Sequence, residues 1–199
     1  MKRWALLLGL IVVTAVGGLA VWHQTNRVQF IQTLCEAGLP NLSRPRVIEA
    51  DQLGCTVLGP KQTLTGYVST AFEHSSLIVG AEIVLGRNGF ENESAWFSGT
   101  EGLDQRGGED LHKVLEIRRP GLCGSRLAKV TVEGWMTASP GGFGHLNLAN
   151  REFYAYRIVS ATAPSTAALV PFQYGTAPHW PAETVAFCRD RERPDFEGF

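Results

Sequence analysis

The chain has 199 residues, 44% hydrophobic and 19% charged, which leaves room for one ordinary domain with extensions but not for two full ones. Lys and Arg number 18 against 19 Asp and Glu, and without Lys2 and Arg3 the remainder carries −3, a balance that argues against gripping nucleic acid through its phosphates. Twenty-two glycines and ten prolines favour short strands and turns over long helices.

Residues 4–22, WALLLGLIVVTAVGGLAVW, carry no charge and follow the basic pair Lys2-Arg3. As a helix they span about 28 Å, close to the hydrocarbon core of a bilayer, with Trp4 and Trp22 at the two interfaces. The expectation is an uncleaved signal anchor. Residues 1–3 stay in the cytoplasm, and the bulk of the chain lies on the periplasmic side of the inner membrane. The competing reading is a cleaved signal peptide, for which Gly18-Leu19-Ala20 is a tolerable site. The length of the run and its aromatic flank favour the anchor.

Residues 23–60 form a juxtamembrane region. Val28, Ile31, Leu34 and Cys35 keep helical spacing, with Gly38 placed to cap and Pro40 just beyond, so a short helix is expected. Residues 46–50 look extended, and 54–60 form a short run ended by a turn. A β-rich region follows over 61–163. Thr63 to Thr70 alternates, as does Ser76 to Leu85, and the sequence Gly86-Arg87-Asn88-Gly89 marks a turn. Residues 90–110 read as a long loop or short hairpin around Ala95-Trp96-Phe97. Residues 112–118 read as a strand with Leu115 and Ile117 inward.

The stretch 129–158 reads as a strand, a Gly/Pro-rich turn and a second strand. Val130, Val132, Gly134 and Met136 face one way, Thr131, Glu133 and Trp135 the other. In the strand from 151, Phe153 and Ala155 oppose Tyr154, Tyr156 and Ile158, and the alternation does not say which face is core. The tail, 164–199, holds five of the ten prolines. Its aromatic residues suggest that it packs on the barrel as far as Cys188 and frays beyond.

The four cysteines, Cys35, Cys55, Cys123 and Cys188, show no metal-ligand spacing. In an oxidising compartment they form two disulfides by one of three connectivities; in a reducing one they are buried thiols. A Cys35–Cys55 bridge would tie the short helix to the segment after it. Cys188 could clamp the tail to Cys123.

LTGYVS (64–69) as a first strand, KVTVEGWM (129–136) as a fourth and REFYAYRIVSA (151–161) as a fifth resemble the strands of OB-type barrels, whose fourth strand carries a similar Val-x-Val-x-Gly. FEHSSL (72–77) and PGGFGH (140–145) resemble proteobacterial membrane-anchored or exported proteins. The resemblance covers about half the chain. It implies a mainly β fold, a small OB-like β-barrel with an N-terminal transmembrane helix and a Pro-rich tail, and it implies no activity.

The residues offer no catalytic set. Glu73-His74-Ser75 contains triad types, but neighbours on a strand point to opposite faces. The run 140–145 lacks the Gly-Lys-Ser/Thr of a phosphate loop and reads as a hairpin turn with Phe143 folded over the barrel end. No two histidines lie within four residues, so no metal signature exists and no cofactor is expected. OB domains bind with their loops and open face, and the candidate ligand-binding residues are therefore His74, Phe143, His145 and Trp135. The leading expectation is a non-enzymatic binding module of the cell envelope, held in the membrane and engaging an envelope protein. One alternative is an exported cofactor carrier, since the haem chaperone of cytochrome c maturation has a similar architecture. Its attachment motif places a tyrosine four residues after a histidine, whereas His145 is followed at that spacing by Ala149 and His179 by Glu183. The other is single-strand binding, for which the charge is missing.

Overall fold

The computed structural model describes residues 26–71, 74–86, 89–99, 106–119, 121–147, 149–173 and 182–191. The expected cytoplasmic end at 1–3, the expected span at 4–22 and the end of the tail at 192–199 lie outside the described residues. Among the described residues no helix is long and apolar enough to cross a membrane. The chain divides into two compact units, Met1–Leu58 and Gly59–Phe199.

In the first unit, helix α1 (Arg27–Glu36) buries Ile31, and a short helix α2 (Ala50–Leu53) follows. Cys35 and Cys55 are joined by a disulfide. Asn41 organises the connection: its amide nitrogen donates to the carbonyls of Gly54 at 3.0 Å and Thr56 at 2.8 Å, and its oxygen accepts from the Ser43 hydroxyl at 2.7 Å. Residues 46–50 are not extended. Ile48 N–H donates to the Pro45 carbonyl in a turn that Arg44 closes by donating to the Ile48 carbonyl at 2.7 Å.

The second unit is mainly β. Strands β1 (Leu58–Ala71), β2 (His74–Val79), β5 (Ser94–Ser98), β6 (Arg126–Thr137) and β7 (Glu152–Thr162) form a sheet that closes into a ring in the order β1-β2-β5-β7-β6. Strands β3 (Leu85–Gly86) and β4 (Gly89–Phe90) pair as a small separate hairpin. All pairings given for the ring are antiparallel except β5 with β7. Followed through Ser69, Ser76, Trp96, Glu152 and Thr137, the ring returns to β1 beside Gly59, about ten residues from where it began; such a stagger tilts the strands steeply and leaves a bore narrow enough for side chains to fill. Val68, Leu77, Phe97, Val130, Val132 and Phe153 fill it.

Helix α3 (Gly108–Leu115) lies between β5 and β6 in the chain and sends Leu111 and Leu115 into the same core. It therefore sits at the end of the ring where β5 finishes and β6 starts. A second apolar cluster lies outside the ring, where Ala168 and Phe172 pack with Tyr67, Ile78, Leu122 and Leu127. Ala168 belongs to helix α4 (Thr166–Leu169), capped by the Ser165 hydroxyl, and a disulfide joins Cys123 to Cys188 in helix α5 (Ala182–Arg191).

Three local expectations give way in this unit. Residues 112–118 are not a strand but the end of α3 and the turn after it. Leu111 and Leu115, four apart, share the buried face, Glu109 and Asp110 favour the helix start, and Ile117 is half exposed. Gly59-Pro60 does not turn the chain but lies within β1. The β2 register begins only at Gly66, so this part of β1 has an open side where proline is tolerated. The strand expected over 76–85 stops at Val79, because Gly80 takes φ +135° and Asn92 braces the turn by donating to the carbonyls of Val79 and Glu82.

The two-sided apolarity of β7 has its cause in two register shifts against β6, between Thr131 and Val132 and between Glu133 and Gly134. Gly134 pairs with Ala155 and Glu133 with Arg157, so Tyr156 is an extra, unpaired residue. Each bulge moves the inward phase by one. Phe153, Ala155 and Ile158 all reach the core, although strict alternation would put Ile158 outside.

Candidate functional site

The ends of the strands opposite α3 open into a cavity of about 370 Å³, lined by Gly59, Pro60, Gln62, Leu64, Val79, Glu93, Met136, Thr137, Ala138 and Arg151. Strand alternation accounts for this lining. Gln62 and Leu64 share the inward phase of Val68 on β1, Val79 that of Leu77 on β2, and Met136 that of Val132 on β6. Glu93 continues the phase of Ala95 and Phe97, and Arg151 that of Phe153 and Ala155. The floor is therefore apolar (Leu64, Val79 and Met136), and the rim above it carries an amide, a carboxylate and a guanidinium.

The backbone fixes these rim groups. Val79 N–H donates to the Glu93 carbonyl at 2.8 Å, and Trp96 N–H to the Arg151 carbonyl at 2.8 Å. The Arg151 guanidinium donates to the Thr137 carbonyl at 2.5 Å, and Glu152 N–H donates to the Thr137 hydroxyl at 3.2 Å. No ion pair joins Glu93 to Arg151, although both line the cavity. Among the described residues the lining has no serine, cysteine, histidine or lysine, and no group of three or more His, Cys, Asp or Glu is placed to hold a metal ion. These groups suit reversible binding of a small apolar body under a polar rim.

Between the two cavity residues Ala138 and Arg151 the chain makes the β6–β7 hairpin. Phe143 and Ala149 exchange backbone hydrogen bonds at 2.9 and 3.1 Å, and Gly141 N–H donates to the Asn150 carbonyl at 2.9 Å. Gly144, at φ +71°, lies so close on the Trp96 ring of β5 that a Cβ would overlap it. Past this contact Leu146 and Asn147 take left-handed backbone, φ +55° and +57°, and Leu146 is 75% exposed. No Lys, Arg, Asp or Glu falls between 138 and 150.

The expected ligand-binding residues do not gather into one site in what can be described. Phe143 lies in the hairpin with its ring against Gly141. Trp135 stands on the outer face of β6, edge-on to Tyr156 at 5.7 Å. The Lys61 ammonium lies 4.2 Å and the Arg106 guanidinium 4.9 Å from the centre of the Tyr156 ring, and Lys61 also pairs with Glu133 at 3.0 Å. That cluster is a cross-strand brace rather than an open stacking platform. His74 opens β2, and His145 sits in a short 3-10 turn of the hairpin; the side chains of both lie outside the described residues. Tyr154, next on β7, has its hydroxyl pKa raised, first by burial and then by the Glu152 carboxylate, which accepts its hydrogen bond.

Gln62, Glu93 and Arg151 were not among the residues the sequence singled out. A signal was present: each is polar in the inward phase of its strand, where a packed core would want an apolar side chain. No family model, curated protein or solved structure matches this chain.

Proposed function

We propose that this chain is a membrane-anchored, extracytoplasmic OB-type module that binds a protein of the cell envelope at the open mouth of its ring. The observation that carries this reading is the asymmetry of the ring, packed by α3 at one end and opening at the other into a cavity with an apolar floor and polar rim. The OB assignment is supported by the strand order, with the fifth ring strand between the third and fourth, and by the helix between the third and fourth. The envelope location is supported by the apolar run 4–22 after Lys2-Arg3 and by the pairing of all four cysteines.

OB domains that hold nucleic acid use the outer face of their second and third strands. Here Ile78 on β2 is buried with Phe172, and Trp96 on β5 lies beneath Gly144. With that face covered and the charge negative, the mouth is a concave surface left open among the described residues, and a protein partner fits it better than a polynucleotide.

The test is photo-crosslinking of the full-length protein in its native membrane, with the reactive residue at Gln62 or Glu93 and a control at the exposed Val159. Adducts to an envelope protein from the two mouth positions, and none from Val159, are expected. Equal labelling at all three positions, or an integral-membrane yield no greater than that of a variant lacking residues 4–22, rejects the reading.

A further inference from the structure

β1 does not keep a neighbour on both sides along its whole length. Its neighbours in the ring are β6 and β2. β6 flanks the first half, where Lys61 reaches Glu133 at 3.0 Å and the Thr65 and Thr131 hydroxyls meet at 3.3 Å. β2 flanks only the second half. Its register runs from Ala71 back to Gly66, and the last rung is the Gly80 N–H donating to the Thr65 carbonyl at 2.9 Å. At Gly80, φ +135°, the chain leaves the sheet: Asn92 donates to the carbonyls of Val79 and Glu82 across the turn, and the Tyr67 hydroxyl donates to the Ala81 carbonyl at 3.1 Å. Among the described residues, no backbone bond reaches β1 from this side before Thr65.

The last rung sets the direction of the groups left open. On a strand the N–H and C=O of every second residue point to the same side, so Lys61 and Thr63 share the direction of Thr65. Both are exposed, while Gln62 and Leu64 between and beside them line the cavity. The edge thus presents donor–acceptor pairs repeating about every 7 Å, with an apolar-floored hole directly inside them.

We propose that the partner at the mouth adds an extended segment to this edge, antiparallel to β1 and in line with β2, and sinks alternate apolar side chains into the cavity. This rests on the reading of the mouth as a protein-binding site and states how the protein is held. A polypeptide backbone matches the repeat of the edge, and alternate side chains then give specificity. Segment residues opposite Lys61 and Thr63 bond to β1 and point outward; those opposite Gln62 and Leu64 point inward, over Leu64, Val79 and Met136. Lys61 does not block the edge, because its ammonium is drawn to Glu133 and to the Tyr156 ring on the β6 side. Pro60 keeps the run short, so the edge takes a short segment rather than a second sheet.

The probe is a set of synthetic peptides, Lys-Thr-X-Thr-X-Thr-Lys, with X leucine, phenylalanine or valine, and with serine as control. Residue-resolved amide hydrogen exchange of the full-length protein in detergent is the first measurement. In the protein alone, Lys61 and Thr63 are expected to exchange at least about tenfold faster than Gln62 and Leu64, whose amides turn toward β6. The apolar peptides are expected to slow both by at least about tenfold at saturation, and the serine peptide to bind at least about tenfold more weakly. N-methylation of the Thr amides, which face β1, is expected to abolish binding, whereas N-methylation of the X amides, which face away, leaves it intact. Slow exchange at Lys61 and Thr63 in the protein alone means that the chain itself fills the edge, and overturns the proposal. So does failure of every peptide to bind, or binding that ignores which amides carry the methyl. If strand addition fails in any of these ways while Gln62 and Glu93 crosslink to an envelope protein, the binding reading stands without it. If the peptides bind as described but no envelope protein crosslinks at the mouth, the edge stands as a peptide site and its assignment to the envelope falls.

Discussion

Glu133 shows how one outward carboxylate ties three strands' worth of chemistry together. It accepts from Arg157 on β7 at 2.6 Å and from Lys61 on β1 at 3.0 Å, and Lys61 in turn lies over Tyr156, the residue left unpaired by the bulge. The Arg157 hydrogen bond first, and then that of Lys61, hold the Glu133 pKa below its ordinary 4.5. A carboxyl whose pKa is lowered on folding favours the folded state above its unfolded pKa and loses that contribution as pH falls through the folded value. Glu133→Gln is therefore expected to melt below the wild type at neutral pH, with the gap closing as pH drops from 4.5 downward. Because Lys61 and Arg157 are about half exposed, added salt should narrow the gap as well. Thermal melts over a pH series at two ionic strengths check both; a gap independent of pH rejects the assignment. The adjacent Gly134 is the glycine of the Val-x-Val-x-Gly pattern, and its role is steric: a Cβ there would run into the Tyr154 carbonyl and the Phe153 ring.

Among elements, helix α3 carries most of the difference between sequence and structure. Its eight residues offer just Leu111, Val114 and Leu115 as a short apolar stripe, while Leu115 and Ile117 together imitate a strand. What decides for helix is the tertiary setting, since only the helical spacing puts both leucines into the bore end. Leu111→Ala is expected to cost about 3 kcal/mol in chemical denaturation, and Ile117→Ala no more than about 0.5, because the first empties a packed end and the second trims a half-exposed side chain. The reverse ranking would restore the strand reading. Strands β6 and β7 were legible because long alternating runs flank a Gly/Pro turn. The phase of β7 was not, because bulges depend on the partner strand and leave no local mark at Tyr156. The mouth residues were missed for a related reason. Glu93 and Arg151 each precede the first core residue of their strands, and only ring closure shows that they face one cavity.

At the scale of the molecule, each compact unit carries its own disulfide, Cys35–Cys55 in one and Cys123–Cys188 in the other. The second spans 65 residues and includes β6, the hairpin and β7, so a Cys123→Ser/Cys188→Ser variant is expected to lose about 4 kcal/mol of ring stability by the loop-entropy estimate. Equilibrium unfolding of the variant against the oxidised wild type measures it, and no loss would mean that the bridge only decorates an already closed ring. The position of β7 in the strand order has a consequence for how the chain comes into being. It is the last ring strand to be synthesised, yet it lies between β5 and β6. When residue 137 emerges, four of the five ring strands exist and the edges of β5 and β6 that β7 will fill are still bare. The nascent chain is thus most open to edge-to-edge aggregation just before the ring closes, and the hairpin at 138–150, which has no Lys, Arg, Asp or Glu, leads the one segment able to end that exposure.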